Sequence, residues 1–239
     1  MKMALTLIVV TALWWLASAI IDLRILPSPW VVFEAFGNNI GLILAHTGYS
    51  LFRLGGGAGL ALLVSVPVGM CMGYYRIVDK LLAPAMYIFA PMPKVAFLPL
   101  ILLFLGLTEN ARIFLVFLTL VFPLAIAMRD AVRGIPEDVY APLVAAKRSH
   151  LFILYHVVFL GGLPAIFTTL RLSLSVGISV LFISETFGTR MGLGYFIMDS
   201  WVTIRYPAMF AGILAMGILG LGLTALVDFL QKIICPWAK

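Results

Sequence analysis

Six long runs of apolar residues most constrain what this chain can fold into. Crossing a bilayer takes about 20 apolar residues in a helix, and 63% of the 239 residues are hydrophobic while only 11% are charged. Soluble domains average about 45–50% apolar and about 25% charged residues. The sequence therefore predicts an all-α polytopic membrane protein with six transmembrane helices. The predicted spans are Met3–Ile21, Leu54–Tyr75, Leu81–Leu105, Ile113–Met128, Leu163–Ile183 and Ala208–Ile234.

The basic residues between these spans indicate the orientation of the chain. Six spans put both termini on one side, and placing that side in the cytoplasm puts most Lys and Arg residues inside, as cytoplasmic loops prefer. The inner set is Lys2, Arg76, Lys80, Arg129, Arg133, Lys147, Arg148, Lys232 and Lys239. The outer set is Arg24, Arg112, Arg190 and Arg205, with Arg53 near the outer surface. Because these residues flank spans and form no stripe, the net charge of +6 does not indicate nucleic-acid binding.

The first span raises the question of a signal peptide. Ala17-Ser18-Ala19 imitates a cleavage site, but the apolar run before it is longer than the about 7–15 residues of a typical signal-peptide core. We therefore expect this helix to be retained.

Motifs for covalent chemistry and for cofactors are missing from the sequence. No Gly-rich phosphate loop ends in Gly-Lys-Ser/Thr, and the three histidines join no carboxylate in a metal-ligand pattern. Cys71 and Cys235 both fall at predicted cytoplasmic ends of spans, where we expect no disulfide. We expect this chain to be no enzyme and to bind no metal or cofactor itself.

Prolines and glycines predict irregular backbone in three places. The third span contains Pro84, Pro91, Pro93 and Pro99 and must be broken, which is tolerated only where protein or a water-filled cavity surrounds it. Pro27 and Pro29 predict an extended segment before an interfacial helix that carries Trp30, Phe33 and Phe36. The pairs Gly55/Gly59 and Gly69/Gly73 predict a face of the second span that another helix approaches closely.

The longest polar stretch, at about residues 135–156, is predicted to protrude into the cytoplasm; we call it the coupling segment. Ile135-Pro136-Glu137-Asp138 is typical of a helix start, with acids where the helix dipole favours them. After a break, a second helical run, Leu151–Phe159, leads to Gly161-Gly162-Leu163-Pro164 and into the fifth span, a membrane helix that we expect to open with this proline. The apolar residues of the coupling segment favour contact with the surface of a partner protein. The alternative is that the segment is an ordinary solvated loop. These residues are Val139, Leu143, Phe152 and Tyr155.

Ionisable residues inside spans are costly and usually face a bundle interior or water. The candidate translocation pathway comprises Lys94, Arg171, Ser175 and Glu185. Arg171 and Glu185 are about 21 Å apart along a helix that rises 1.5 Å per residue, so they cannot pair within it. A structural reading stays open: Arg171 could hold a neighbouring carbonyl, Glu185 could anchor the outer loop, and Lys94 could extend outward to the interface.

The ordered set of motifs resembles the membrane permease of bacterial binding-protein-dependent ABC importers, in the nitrate/sulfonate/taurine-type branch. The segments that carry the resemblance are LPSPWVVFEAF, SLFRLGGGAGLALLVSVPVG, PMPKVAFLPLILLFLGLTENARI, VVFLGGLPAIFTTLRLSLSVG, ETFGTRMGLGYFIMDS and YPAMFAGIL. The resemblance implies a type I ABC importer permease fold, with residues 1–239 as a single transmembrane domain in the bacterial inner membrane. It further implies a homodimer, cytoplasmic ATPase subunits that bind ATP and Mg²⁺, and a periplasmic solute-binding protein.

The chain departs from the family pattern in the coupling segment. The family has Glu-Ala-Ala, three residues, then Gly; aligned without gaps, these positions fall on Ala141, Pro142, Leu143 and Lys147. A register that uses Ala145-Ala146 would need a three-residue deletion. The acidic residue and the turn glycine are missing in either register. The resemblance implies these ATPase-coupling residues: Glu137, Asp138, Tyr140, Ala141, Pro142, Leu143, Ala146, Lys147, Arg148 and Ser149.

Two other classes of protein compete with this interpretation. A secondary transporter or channel working without an ATPase predicts an inverted repeat or a carboxylate deep in a span. An intramembrane enzyme would need a catalytic pair within the bilayer. Neither pattern is visible, and the resemblance implies an ATP-driven importer. If Lys94 and Arg171 line a shared pathway, its positive potential favours a small anionic solute. Nitrate, sulfonates, taurine, bicarbonate and pyrimidine vitamin precursors are all open, because a separate binding protein largely sets selectivity in this family.

Overall fold

The structure is a computed structural model that describes residues 2–21 and 25–237. Arg24 and Lys239, two of the residues used above to orient the chain, lie outside the described residues, as does the side chain of Lys2. Within the described ranges the regular structure is helical throughout. The α-helices are α1 (Lys2–Ile21), α2 (Pro29–Asn38), α3 (Ile40–Tyr74), α4 (Arg76–Phe89), α5 (Leu98–Leu105), α6 (Glu109–Arg133), α7 (Glu137–Ala145), α8 (His150–Ile153), α9 (Leu160–Glu185), α10 (Leu193–Val202) and α11 (Tyr206–Ile234).

The all-helical membrane fold is confirmed. Among the described residues, four helices are long and apolar enough to cross a membrane: α3, α6, the continuous run His150–Glu185, and α11. A bent pair, Arg76–Phe89 with Lys94–Leu105, adds a fifth crossing if it is one span. The apolar part of α1 that can be assessed, Ile8–Ile21, is shorter. This inventory is compatible with the six predicted spans.

The predicted break in the third span is present. Helix α4 ends at Phe89, a single 3₁₀ turn covers Lys94–Phe97, and α5 follows at Leu98. The two helical parts are bent by 88°. Pro91 and Pro93 lie in the gap, where neither can donate a backbone hydrogen bond to extend α4.

The predicted start of the second span at Leu54 is wrong, because α3 already begins at Ile40 and runs unbroken for 35 residues. Its first part carries His46, Ser50 and Arg53, polar residues that lie before the predicted span. All three are buried. Their spacing of four and three residues puts them on one helix face, so the polar residues mark an inward-facing side of α3.

The expected opening of the fifth membrane helix at Pro164 is also wrong, whereas the break between the two helical runs of the coupling segment lies between α7 and α8. The helix runs from His150 to Glu185, with a π-helical turn at Leu154–Phe159. A Cβ on Gly161 would lie 3.1 Å from Ile135, and one on Gly162 would overlap Met128. The glycines therefore allow close packing against α6 and its C-terminal extension. Pro164 has no backbone N–H, so it cannot donate a hydrogen bond to the carbonyl of Leu160, four residues earlier. The π turn ends just before Leu160, so the helical hydrogen-bond pattern is already altered at this point.

Backbone contacts divide the chain into two compact units. The first comprises residues 1–51 and 185–219. Its buried core joins α2, α3, α10 and α11 through Val32, Ile43, Leu193, Phe196, Ala208, Ala211 and Ala215. Helix α2 forms as predicted, with Trp30 and Phe33 exposed, whereas Phe36 packs against this core.

The second unit comprises residues 52–184 and 220–239, and it has a tightly packed seam between α3 and α6. A Cβ on Gly57 would lie 2.5 Å from Val116, and one on Gly73 would lie 2.5 Å from Val132. Gly69 is equally close to the carbonyl of Ala125. The Gly69/Gly73 pair therefore packs as predicted. The Gly55/Gly59 pair does not, since within the described chain a Cβ on either residue would meet nothing within 4 Å.

Candidate functional site

The coupling segment begins with α7, which starts at Glu137 as the sequence predicts. Glu137 and Asp138 occupy its first turn, where the helix dipole stabilises negative charge. Most of α7 is exposed. Tyr140 and Leu143 are partly buried; the ring of Tyr140 lies 6.3 Å from that of Tyr74, and burial raises the pKa of its hydroxyl, so it stays protonated. Helix α7 is therefore an accessible element anchored by one aromatic contact.

The turn after α7 is built around Lys147. Its backbone has φ of 49°, in the left-handed region that favours glycine. The amide of Arg148 donates to the carbonyl of Leu143 (3.0 Å), and the hydroxyl of Ser149 caps α8 by accepting from the amide of Phe152 (3.3 Å). Lys147 is the residue that the ungapped register aligns with the turn glycine. The left-handed conformation supports that register.

A cleft of about 1240 Å³ lies beside the coupling segment. It is bounded by α7 and by the predicted cytoplasmic ends of α3, α4 and α6. Both polar and apolar side chains line it: Tyr74, Arg76, Asp79, Lys80, Arg133, Glu137, Tyr140 and Ile153 are among them. The cleft gives the cytoplasmic face of this unit a concave surface directly beside the exposed helix.

A charge cluster fixes one wall of this cleft. Asp79 lies before the predicted third span, and both Arg129 and Arg133 bind its carboxylate, the latter through Nη2 at 2.6 Å. The two arginines thus compensate the negative charge of Asp79. Arg129 also donates to the hydroxyl of Tyr87 (3.0 Å). The sequence analysis missed this cluster; its signal was two arginines four residues apart at the end of α6.

Lys94 lies at the break of the third span and is almost fully buried. Its ammonium donates to the carbonyls of Phe89 (2.5 Å), Ala90 (3.2 Å) and Met92 (2.8 Å), and it lies 5.2 Å from the ring centroid of Phe122. An ammonium has three hydrogens, so all its donors are used. Lys94 thus stabilises the frayed end of α4 and brings a positive charge to a cavity of about 430 Å³ whose lining includes Thr119 and Ser173.

Arg171 pairs with acceptors on α11. Its Nε lies 2.5 Å from Oδ1 of Asp228, and its Nη2 donates to Oε1 of Gln231 at 2.7 Å. Ser175 is exposed and follows Arg171 by one helical turn, on the same face. Asp228 and Gln231 were not predicted as site residues, since the sequence analysis weighed only a backbone carbonyl as the partner of Arg171.

Glu185 is buried in the first unit, at the predicted outer end of α9. Its carboxylate accepts from the hydroxyl of Ser50 (2.8 Å) and from the amide of Gly194 (2.8 Å). The amide of Gly192 donates to Nδ1 of His46 (3.1 Å). These bonds connect α3 to the segment between α9 and α10, which is the anchoring role that the structural reading of Glu185 described.

At the predicted outer end of the second unit, Arg53 forms a bidentate pair with Glu109. Its Nε and Nη2 lie 2.5 and 2.8 Å from the two carboxylate oxygens. Arg112 donates to the carbonyl of Thr108 at 2.8 Å. The charged candidates for the translocation pathway, Lys94, Arg171 and Glu185, therefore each bind different partners at separate places in the chain. In the part of the chain that the structure describes, no group of three His, Cys, Asp or Glu residues could hold a metal ion.

Comparisons with known proteins agree on one class of protein. A family model described as "Binding-protein-dependent transport system inner membrane component" matches residues 65–239. The taurine transport system permease protein TauC of Escherichia coli K12 is 28% identical over 97% of this chain and 88% of its own length. The nitrate import permease protein NrtB of Synechocystis PCC 6803 is 26% identical over 78% of this chain and 68% of its own length. A structure of the MetNI methionine ABC transporter, in an inward-facing conformation, has the same fold: the TM-score is 0.66 at 16% identity, covering 82% of this chain and 97% of that one.

Proposed function

This chain belongs to the inner membrane components of binding-protein-dependent transport systems, as a permease subunit of an ABC importer, and from that premise we propose how it couples to ATP hydrolysis and what it moves. ATP and Mg²⁺ bind to separate cytoplasmic ATPase subunits, and this chain holds no cofactor and does no covalent chemistry. It works in the bilayer as a homodimer with both termini in the cytoplasm. A periplasmic solute-binding protein delivers the solute, and alternating access carries it inward.

The ATPase docks on the coupling segment. The observation that carries this proposal is an exposed helix, α7, which ends in a left-handed turn at Lys147. The adjacent cleft of about 1240 Å³ offers charged and aromatic side chains to a partner. The docking residues we propose are Glu137, Asp138, Tyr140, Ala141, Pro142, Leu143, Ala146, Lys147, Arg148 and Ser149.

The solute is a small anion. Arg171 and Lys94 bring positive charge to the second unit within predicted spans, and a nitrate permease, named above, is a relative of this chain. Arg171 and Ser175 face the solute, whereas Lys94 contributes its charge without a spare hydrogen-bond donor. Glu185 acts at the outer end, where it holds the segment before α10 in place.

Cysteine crosslinking tests the docking proposal. The two native cysteines are first replaced by Cys71→Ser and Cys235→Ala; the former is exposed and the latter buried. Tyr140→Cys and Ser149→Cys should then crosslink to the ATPase in the assembled complex. Ile77→Cys is the matched control, because Ile77 is 84% exposed on α4 and lies beside Asp79 in the other cytoplasmic loop.

The expected result is protection of positions 140 and 149 from a soluble maleimide when the ATPase is bound, with position 77 labelled throughout. The reverse pattern, free labelling at 140 and 149 with protection at 77, would place the docking site in the first cytoplasmic loop and overturn the assignment.

A further inference from the structure

The pair formed by Arg171 and Asp228 is half-exposed on two helices that are long and apolar enough to span the membrane. The side chains are 36% and 40% exposed. Ionised side chains in contact with lipid are costly, so exposed charges within spans usually face a water-filled passage or another protein surface. This part of α9 and α11 is therefore a polar face within the membrane.

The two residues lie at the same depth, near the cytoplasmic side. Arg171 is eight residues from the predicted inner end of its span at Leu163, which is about 12 Å of helix. Asp228 is six residues before Ile234, the inner end of α11, which is about 9 Å. The pair thus lies in the inner half of a hydrocarbon core roughly 30 Å thick.

The guanidinium of Arg171 has donors to spare. Its Nε faces Asp228 and its Nη2 donates to Gln231, while no hydrogen bond from Nη1 occurs among the residues the structure describes. The amide oxygen of Gln231 accepts that bond, which leaves the amide nitrogen of Gln231 as a donor on the same face. Lys94 differs, since three carbonyls already use its ammonium hydrogens. Of these two basic residues, Arg171 is the one equipped to bind an anion directly.

Resting on the proposed anion transport, we propose that Asp228 is the resident counter-ion of Arg171 and that a compact oxyanion displaces it as the solute passes. The solute class is a sulfonate or nitrate-like group, because two of its oxygens match the planar fork of a guanidinium. The amide nitrogen of Gln231 donates to the same anion. When Asp228 pairs with Arg171 again, it competes with the anion and releases it toward the cytoplasm.

The test uses methanesulfonate as the probe and the permease purified with its ATPase subunits. Thermal unfolding is followed while methanesulfonate replaces chloride at constant ionic strength, and dimethyl sulfone serves as the uncharged comparison. Asp228→Asn removes the competing charge, so it should lower the midpoint of the methanesulfonate response roughly fivefold, the range of a partly exposed ion pair. Arg171→Met should abolish the response in both backgrounds. Asp199→Asn, which removes the partner of Arg205 in another half-exposed pair, should leave the midpoint unchanged.

A midpoint that Asp228→Asn leaves unchanged, or a response that survives Arg171→Met, overturns the proposal. If Arg171→Met does not assemble, Arg171→Lys decides: it keeps the charge but loses the fork, so the response should weaken, and an unweakened response contradicts the assignment. Failure of the proposed function would give a different result from failure of this proposal. It would appear as a permease that purifies without any ATPase, and the same titration on the permease alone would still decide the role of Asp228.

Discussion

Lys147 holds a conformation that its side chain does not favour. A non-glycine residue in the left-handed region is disfavoured by about 1–2 kcal/mol, and Lys147 has φ of 49°. We predict that Lys147→Gly stabilises the turn between α7 and α8, whereas the control Lys147→Ala, which keeps a Cβ, does not. Protease cleavage within the coupling segment should slow about fivefold in the glycine variant, since cleavage tracks the population of the open form.

Both variants should still associate with the ATPase. Equal cleavage rates in the two variants would contradict the account of the turn. Loss of ATPase association in both variants would show that the lysine side chain makes a contact of its own with the partner.

At the scale of single residues, the sequence identified the important charged residues more successfully than it identified their binding partners. Lys94, Arg171 and Glu185 stand out because charge inside an apolar span is costly. Their partners were not predictable, because pairing depends on which helices meet. Gln231, for example, is 60 residues from Arg171, and Ser50 is 135 residues from Glu185.

At the scale of elements, the seam between α3 and α6 depends on glycines that leave no room for a methyl group. We predict that Gly57→Ala destabilises the protein by roughly 1–3 kcal/mol, as overpacking of a tight contact does, because its Cβ would lie 2.5 Å from Val116. Gly59→Ala is the matched control on the same helix, since its Cβ would meet nothing within 4 Å. The thermal unfolding midpoints of the detergent-solubilised variants give the comparison, and equal midpoints would show that the seam is looser than described.

Proline and glycine residues predicted helix boundaries correctly only where their positions allowed a single physical interpretation. Several prolines in the third span had to interrupt the helix, and they do. Gly161-Gly162 before Pro164 did not indicate that one helix continues through them, because the neighbours that they pack against, Ile135 and Met128, lie far away in sequence. The start of α3 at Ile40 was not predicted for the same reason. Burial of the polar face on the first part of this helix depends on tertiary packing.

At the scale of the whole molecule, composition and span lengths predict a polytopic helical membrane protein but would suit many transporters. The ordered motifs narrowed this to a permease of the ABC importer class, and the matched family model confirms it. The exposed helix α7 beside a polar cleft is consistent with a permease that docks a partner protein. The central claim is that the chain moves its solute only with an ATPase partner.

Uptake into proteoliposomes tests that claim most directly. The permease is reconstituted with its ATPase and binding protein, and uptake of labelled taurine and nitrate is measured as the two probes. We predict that uptake of at least one probe requires ATP on the ATPase side, stops with vanadate, continues when ionophores collapse all ion gradients, and is lost when the ATPase is left out. Uptake by the permease alone, driven by an ion gradient and indifferent to ATP and vanadate, would contradict the account and identify a secondary transporter instead.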